Sequence, residues 1–229
     1  MVKYIGDKNY EHGSKEAVGV LITNLGTPDA PEKKELKVYL NQFLSDPRVI
    51  ELPKILWQIL LKLVILQVRP SKSAEAYKKI WTKNGSPLLD ISKRQLEKIK
   101  SSFSHSHPNM IFEVGMRYGN PSIPNALRNL QKQNVRKLLV LPMYPQYCAA
   151  TTGSTFDEVT NVLQKWRWIP ELRFINQYFE DDKYIEALSN SVSSFWEKHS
   201  KPQKIIFSYH GIPKKYLLNG DPYHCFCLK

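Results

Sequence analysis

A chain of 229 residues that is 42% apolar, 24% charged and 11% aromatic, with ten Gly and fifteen Pro, has the make-up of a globular protein, which excludes disordered, collagen-like and disulfide-scaffold classes. Its 33 basic residues against 21 acidic ones give a net charge of +12, a balance that favours an acidic partner: a polyanion, an anionic membrane surface, or a carboxylated or phosphorylated small molecule. Three Cys and a start without a secretory pattern point to a reducing compartment and a cytoplasmic address.

Residues 1–16 are polar and aperiodic and read as a flexible N-terminal arm. Residues 18–23 then read as a buried strand ending in a turn of Asn24, Gly26 and Pro28, with a helix over 33–43. Residues 55–68 (ILWQILLKLVILQV) are the most apolar stretch. As a helix they reach about 21 Å with Lys62 inside, too short to span a membrane. Started at Leu52, that helix gathers Lys54, Gln58 and Lys62 on one narrow stripe and leaves Trp57 and the aliphatic residues over the rest. Such a surface suits burial inside the fold, the wall of an apolar ligand pocket, or a peripheral membrane contact.

Helices over 73–81 and 92–103 flank the Asn84-Gly85-Ser86-Pro87 breaker, with Ser92 as the cap of the second. A second strand over 111–117, a helix over 123–133 entered through Pro124, a third strand over 137–142 and a helix over 155–166 follow. After Ile169-Pro170 the rhythm restarts with a strand at 172–176, a long helix at 183–199 and a strand at 204–209. Apolar strands alternating with amphipathic helices predict an α/β protein of two Rossmann-like halves with parallel sheets. The expected division is an arm at 1–16, a first α/β domain with an apolar cleft helix at 17–168, and the start of a second α/β domain at 169–229. Those roughly sixty residues fall short of the ~100 such a half needs, so the second half is expected to be incomplete at Lys229.

In open parallel sheets, ligands bind outside the carboxyl ends of the strands, where loops and helix N-termini converge. Four segments load those ends. The turn at residues 24–28 serves equally as a ligand loop or an ordinary βα connection. Arg117 and Tyr118 close the second strand, where a guanidinium can grip a carboxylate or phosphate beside a stacking ring, or simply form a surface ion pair. Residues 142–154 (PMYPQYCAATTGS) open a helix with hydroxyls that suit an anion, unless Ser154 is only its cap; no phosphate-loop lysine follows, which argues against a nucleotide site. His210 follows the apolar segment 204–209, and an imidazole there can take a proton, bind a divalent metal or serve the fold alone. His105 and His107 flank a loop with no carboxylate or Cys at ligand spacing, His12 lies in the arm, His199 ends a helix where an imidazolium suits the dipole, and His224 beside Cys225 and Cys227 makes an incomplete metal clip. Lys and Arg scattered over helices, without a stripe of stacking aromatics, argue against nucleic acid.

Taken in order, VLITNLGTPDAP from Val20, YLNQFLSDPRVIELP from Tyr39, RPSKSAEAYKKIW from Arg69, GSPLL from Gly85, MRYGNP from Met116, LPMYPQYCAATTGS from Leu141, SYHGIPKKY from Ser208 and GDPYHCFC from Gly220 resemble the ferrochelatase family, the porphyrin metal chelatases of haem synthesis. The resemblance runs from about Val18 to the last residue. It implies a chelatase-like fold and insertion of ferrous iron into a porphyrin, protoporphyrin IX or coproporphyrin III. It makes His210 the active-site histidine, implicated in ferrous-ion binding and in removing pyrrole protons. Arg69, Tyr77 and Ser86 match porphyrin contacts, Arg117 and Tyr118 the cleft floor, and Tyr144, Gln146, Thr152 and Ser154 the loop of the opposite wall.

The residue types suit that chemistry. Metal insertion expels two pyrrole protons, so a base of near-neutral pKa belongs on one face of the macrocycle. The apolar helix offers a wall, and Arg69 at its end can meet a propionate. The family also places a carboxylate in a segment beyond Lys229, so full activity is not expected of residues 1–229, and a porphyrin-binding protein without turnover is the competing reading. Some relatives hold an iron–sulfur cluster through a Cys in the TTGS loop; Ala149 stands there, one place after Cys148, so no cluster and no permanently bound cofactor is expected, iron being a substrate. A third reading, independent of the resemblance, is a generic α/β enzyme holding a phosphorylated ligand at residues 151–154. The oligomeric state stays open.

Overall fold

A run of apolar, β-branched residues after Ala17 makes the first strand, β1 (Ala17–Thr27), which a computed structural model of residues 4–6 and 10–229 places between two neighbours. β2 (Met110–Gly119) pairs with one side and β3 (Val135–Pro142) with the other, and β4 (Glu171–Phe174) extends the sheet beyond β3. All pairings are parallel in the order β2-β1-β3-β4, so every carboxyl end opens on one edge. Parallel strands require crossover helices, which cover both faces. Leu21, Leu138 and Val140 bury against α5 (Ile123–Lys132) and α6 (Ser154–Leu163) on one face. Val20, Ile22 and Met116 face α4 (Pro87–Phe103) on the other. Each fully buried Leu or Ile there contributes about 1.5–3 kcal/mol of apolar transfer energy.

A third apolar cluster unites α1 (Lys33–Leu44) with α2 (Lys54–Leu60), a π-helical turn (Leu61–Ile65) and α3 (Leu66–Ile80). The helices expected separately at 52–68 and 73–81 are therefore one run, which continues through Pro70 despite the backbone hydrogen bond a proline forfeits. Burial of the apolar stretch is only partial. Leu61 and Leu66 are inside, while Ile55, Leu56, Ile59, Leu63, Val64 and Val68 are exposed. No helix among the described residues is long and apolar enough to cross a membrane.

Other expectations change as well. Ser92 is inside α4 and its hydroxyl donates back to the Leu88 carbonyl at 2.8 Å, so it caps nothing; the helix starts instead at Pro87, which is preorganised for a first helical position. The arm is partly tied down: Ile5 exchanges backbone bonds with Lys165 and Arg167 at 2.7 and 2.9 Å. Residues 1–3 and 7–9 of the expected arm lie outside the described residues.

The strand expected at 172–176 joins the first sheet as β4, because its backbone finds β3 rather than a second sheet. The chain divides into one compact unit of residues 1–143 and 149–175 and another of residues 144–148 and 176–229. The second carries α7 (Asp182–Lys198), α8 (Lys214–Leu218) and α9 (Tyr223–Leu228). Asp181 caps α7 by accepting from the Lys183 and Tyr184 amides. The strand expected at 204–209 does not form: a strand needs a neighbour for its N–H and C=O groups, and no described strand pairs with this segment, which leaves Ile206 and Phe207 exposed.

Candidate functional site

Successive side chains of a strand face opposite ways, yet both Arg117 and Tyr118, at the carboxyl end of β2, reach one buried carboxylate. Asp46 lies in the turn just after α1, where its Oδ1 accepts the Arg48 amide at 2.8 Å. Asp46 Oδ2 accepts from Arg117 Nη2 at 2.5 Å, from Ser154 Oγ at 2.5 Å and from Tyr118 Oη at 2.8 Å. Arg117 Nε in turn donates to the Ser154 hydroxyl at 2.6 Å and the Ser154 carbonyl at 3.0 Å. The guanidinium also lies 4.6 Å from the Tyr118 ring centroid, and Nη1 is 3.5 Å from Glu158. Next to it, Arg48 grips Asp157 bidentately at 2.6 and 2.9 Å.

Burial alone would push the Asp46 carboxyl upward. The hydrogen bonds from Ser154, Tyr118 and the Arg48 amide, with the Arg117 charge, outweigh it and hold the group below the usual carboxylate range. Burial drives the Tyr118 hydroxyl above its ordinary value, so it remains a neutral donor near pH 7. The result is a satisfied ionic cluster that ties the α1 turn, the end of β2 and the start of α6 together, with part of the Arg117 side chain reaching the surface.

This geometry revises the 142–154 loop. Residues 149–153 form a π-helical turn continuous with α6, and Thr152 and Ser154 are fully buried. Ser154 is neither a cap nor an exposed hydroxyl, since its oxygen is used by Asp46 and Arg117. Tyr118 is likewise interior. An anion site built on the Thr151–Ser154 hydroxyls, as in the phosphorylated-ligand reading, therefore lacks its donors at these two positions.

The remaining predicted residues of the same unit lie on α3 and just before α4, with Tyr77 linked to Tyr118 through the ring of Tyr39. Arg69 is exposed on α3. Tyr77, on the same helix, is half-buried with its ring 6.4 Å from Tyr39, and burial raises its hydroxyl above the ordinary value. Ser86 is buried just ahead of Pro87 and lines a cavity of about 360 Å³ with Thr27, Asp29, Trp81, Lys93 and Asn120. In the second unit, Tyr144 and Gln146 are half-buried. His210 is exposed in the irregular segment before α8, its backbone hydrogen-bonded to Tyr223, whose hydroxyl is pushed up to about 12 by burial and by Cys227. Among the described residues, no group of three or more His, Cys, Asp and Glu side chains is placed to hold a metal ion.

Sequence reasoning missed Asp46, Arg48 and Asp157. A signal was present in Ser45-Asp46-Pro47-Arg48, an acid at a helix exit with a base two places on, but its partners come from 71 and 108 positions away.

A parallel α/β unit with its buried polar cluster and its half-open cavity gathered at the carboxyl ends of the strands belongs to the class that binds ligands at that edge. Comparison with known proteins narrows the class. The ferrochelatase family model matches residues 17–229. Ferrochelatase of Hydrogenovibrio crunogenus is 57% identical over 226 residues, covering 95% of this chain and 59% of that protein. Ferrochelatase of Thioalkalivibrio sulfidiphilus is 50% identical, covering 99% of this chain and 62% of that protein. "Ferrochelatase 2" of Shewanella oneidensis is 50% identical over 218 residues. The chain belongs to the ferrochelatase family. It spans about 60% of the length of the first two relatives, at 59% and 62%.

Proposed function

We propose that this protein inserts ferrous iron into a porphyrin, protoporphyrin IX or coproporphyrin III, and releases two protons for each metal taken up. The observation that carries this reading is the exposed His210, in a chain that matches the ferrochelatase family from residue 17 to residue 229. In it, the neutral His210 imidazole meets the incoming ferrous ion and, once the metal has passed to the macrocycle nitrogens, accepts a pyrrole proton; that proton and the second one leave to water. A ring that must pucker to offer its lone pairs is held in that shape by binding energy from the rest of the macrocycle. The exposed aliphatic side chains of α2 supply apolar contact and Arg69 pairs with a propionate. Tyr77, Ser86, Tyr144 and Gln146 contact the porphyrin directly. Tyr118, Thr152 and Ser154, being buried, act from behind the surface: with Asp46, Tyr118 and Ser154 fix the plane of Arg117, and Thr152 packs the turn that presents Ser154. Iron is substrate here, and neither a permanently bound cofactor nor an iron–sulfur cluster takes part.

The exposed face of α2 and the following π-helical turn also suits peripheral contact with an anionic membrane surface, because Lys54 and Lys62 lie alongside Ile55, Ile59 and Leu63. A poorly soluble macrocycle would arrive from that surface.

The test is a porphyrin titration run beside an anaerobic insertion assay with ferrous or zinc ion, followed by visible absorbance. The reading expects saturable porphyrin binding and metalloporphyrin formation by the same protein. Porphyrin binding without metal insertion would overturn it and leave a carrier.

A further inference from the structure

At the opposite, amino-terminal end of the sheet, Arg136 is the second residue of β3 and is only 8% exposed. Its guanidinium carbon lies 3.8 Å from the Trp168 ring centroid and 5.4 Å from that of Tyr10. No ion pair to Arg136 is formed among the described residues, and its buried Nε meets no hydrogen-bond acceptor there. Arg136 lines a cavity of about 260 Å³ together with Tyr10, His12, Gln131, Arg167 and Trp168. None of these lining side chains is a carboxylate.

The cavity is built rather than incidental. Its N-terminal wall is stitched to the body at two places: Ile5 bonds the backbone on either side of Trp166, and Asn134 donates its side-chain amide to the Ser14 and Lys15 carbonyls at 3.2 and 3.0 Å. Asn134 is itself in the left-handed conformation, at φ 55°, which turns the chain sharply into β3 and brings Arg136 under the arm. A guanidinium removed from water, with no counter-charge among the described residues, is unfavourable, and aromatic stacking recovers only part of the cost. The fork of a stacked arginine is also preorganised to meet two oxygens at once.

We propose that the Arg136–Trp168 cavity binds a small oxyanion, a carboxylate or a phosphate, held by Arg136 with Arg167 on its exposed side. The site shares no residue with those assigned to the porphyrin. Its volume suits a compact anion and is below that usual for drug-sized ligands.

The test is calorimetric titration with inorganic phosphate and, separately, with acetate, each at constant ionic strength balanced with sodium chloride. The site predicts single-site saturation by at least one of them in the wild-type chain, together with a change in tryptophan fluorescence that Trp168→Phe removes. Saturation by phosphate alone assigns a phosphate ligand, and by acetate alone a carboxylate. Arg136→Gln is expected to abolish binding, and Arg136→Lys, which keeps the charge without the fork, to weaken it about tenfold. Because Arg136→Gln removes a buried side chain, Arg167→Gln, at an exposed position, keeps the test intact if the first variant fails to fold; it should weaken binding several-fold. No saturable binding of either anion, or binding unchanged in the folded Arg136 and Arg167 variants, means an adventitious ion only and overturns the proposal.

Discussion

Arg117 Nη2 lies 2.5 Å from Asp46 Oδ2, although the two residues are 71 positions apart in the chain. The pair joins the turn after α1 to the end of β2, and Ser154 and Tyr118 complete it from α6 and β2. Buried charge of this kind is a weak source of net stability but a strict one, because removing either partner strands the other in a poorly solvated place. It holds a cationic side chain in one orientation at the carboxyl-terminal edge of the sheet.

Asp46→Asn should therefore cost about 2–4 kcal/mol in urea-induced unfolding near pH 7. The acid dependence adds a sharper signature. Because the Asp46 carboxyl is held below its ordinary value of 3.8 in the folded chain, the unfolded chain takes up the proton first. Its contribution is complete above about pH 5 and is lost as the pH falls through the folded-state value. The gap between wild type and Asp46→Asn should narrow on acidification across that range. A gap that stays constant with pH would show that the carboxylate is not the origin of the effect.

Gly26 adopts φ +107°, and a Cβ there would lie 1.8 Å from the Tyr118 carbonyl oxygen. Backbone on both sides of this contact belongs to the sheet, so nothing flexible can yield. Gly26→Ala should destabilise the fold by about 3 kcal/mol or more, read as a large fall in the denaturation midpoint or as failure to recover folded protein. A midpoint within a degree of wild type would mean that the β1 and β2 ends approach less closely than described.

Ile55 is 77% exposed, Leu56 68% and Leu63 70%. If this face meets a membrane, the chain should sediment with vesicles containing anionic lipid, more weakly at raised salt because Lys54 and Lys62 share the surface. Leu56→Glu combined with Leu63→Glu should reduce sedimentation about tenfold or more while leaving the unfolding midpoint nearly unchanged, since neither side chain is packed. Equal sedimentation of wild type and variant would remove the membrane contact from the account.

The parallel sheet was legible because its strands are continuous apolar runs and its helices carry a regular stripe, as at Ile123, Ala126, Leu127 and Leu130. The long-range part was not. Asp46 reads as an ordinary turn acid until Arg117, Tyr118 and Ser154 converge on it, and local pattern carries no trace of that convergence. Ser92 looked like a cap because a hydroxyl before an amphipathic run is common to caps and to interior positions bonded back one turn. Residues 204–209 have strand-like composition, but composition supplies no partner, and pairing is what makes a strand. His210 stands out in the sequence by its place after that segment and by the family resemblance; its exposure is read only from the fold.

The central claim is that the imidazole of His210 takes the pyrrole proton during metal insertion. The direct measurement is the rate of metalloporphyrin formation by His210→Ala beside wild type, with porphyrin affinity and unfolding midpoint recorded on the same samples. Loss of insertion by about 100-fold or more, the upper part of the range for a removed general base, with porphyrin affinity and midpoint unchanged, is the predicted result. An insertion rate equal to that of the wild type would contradict it.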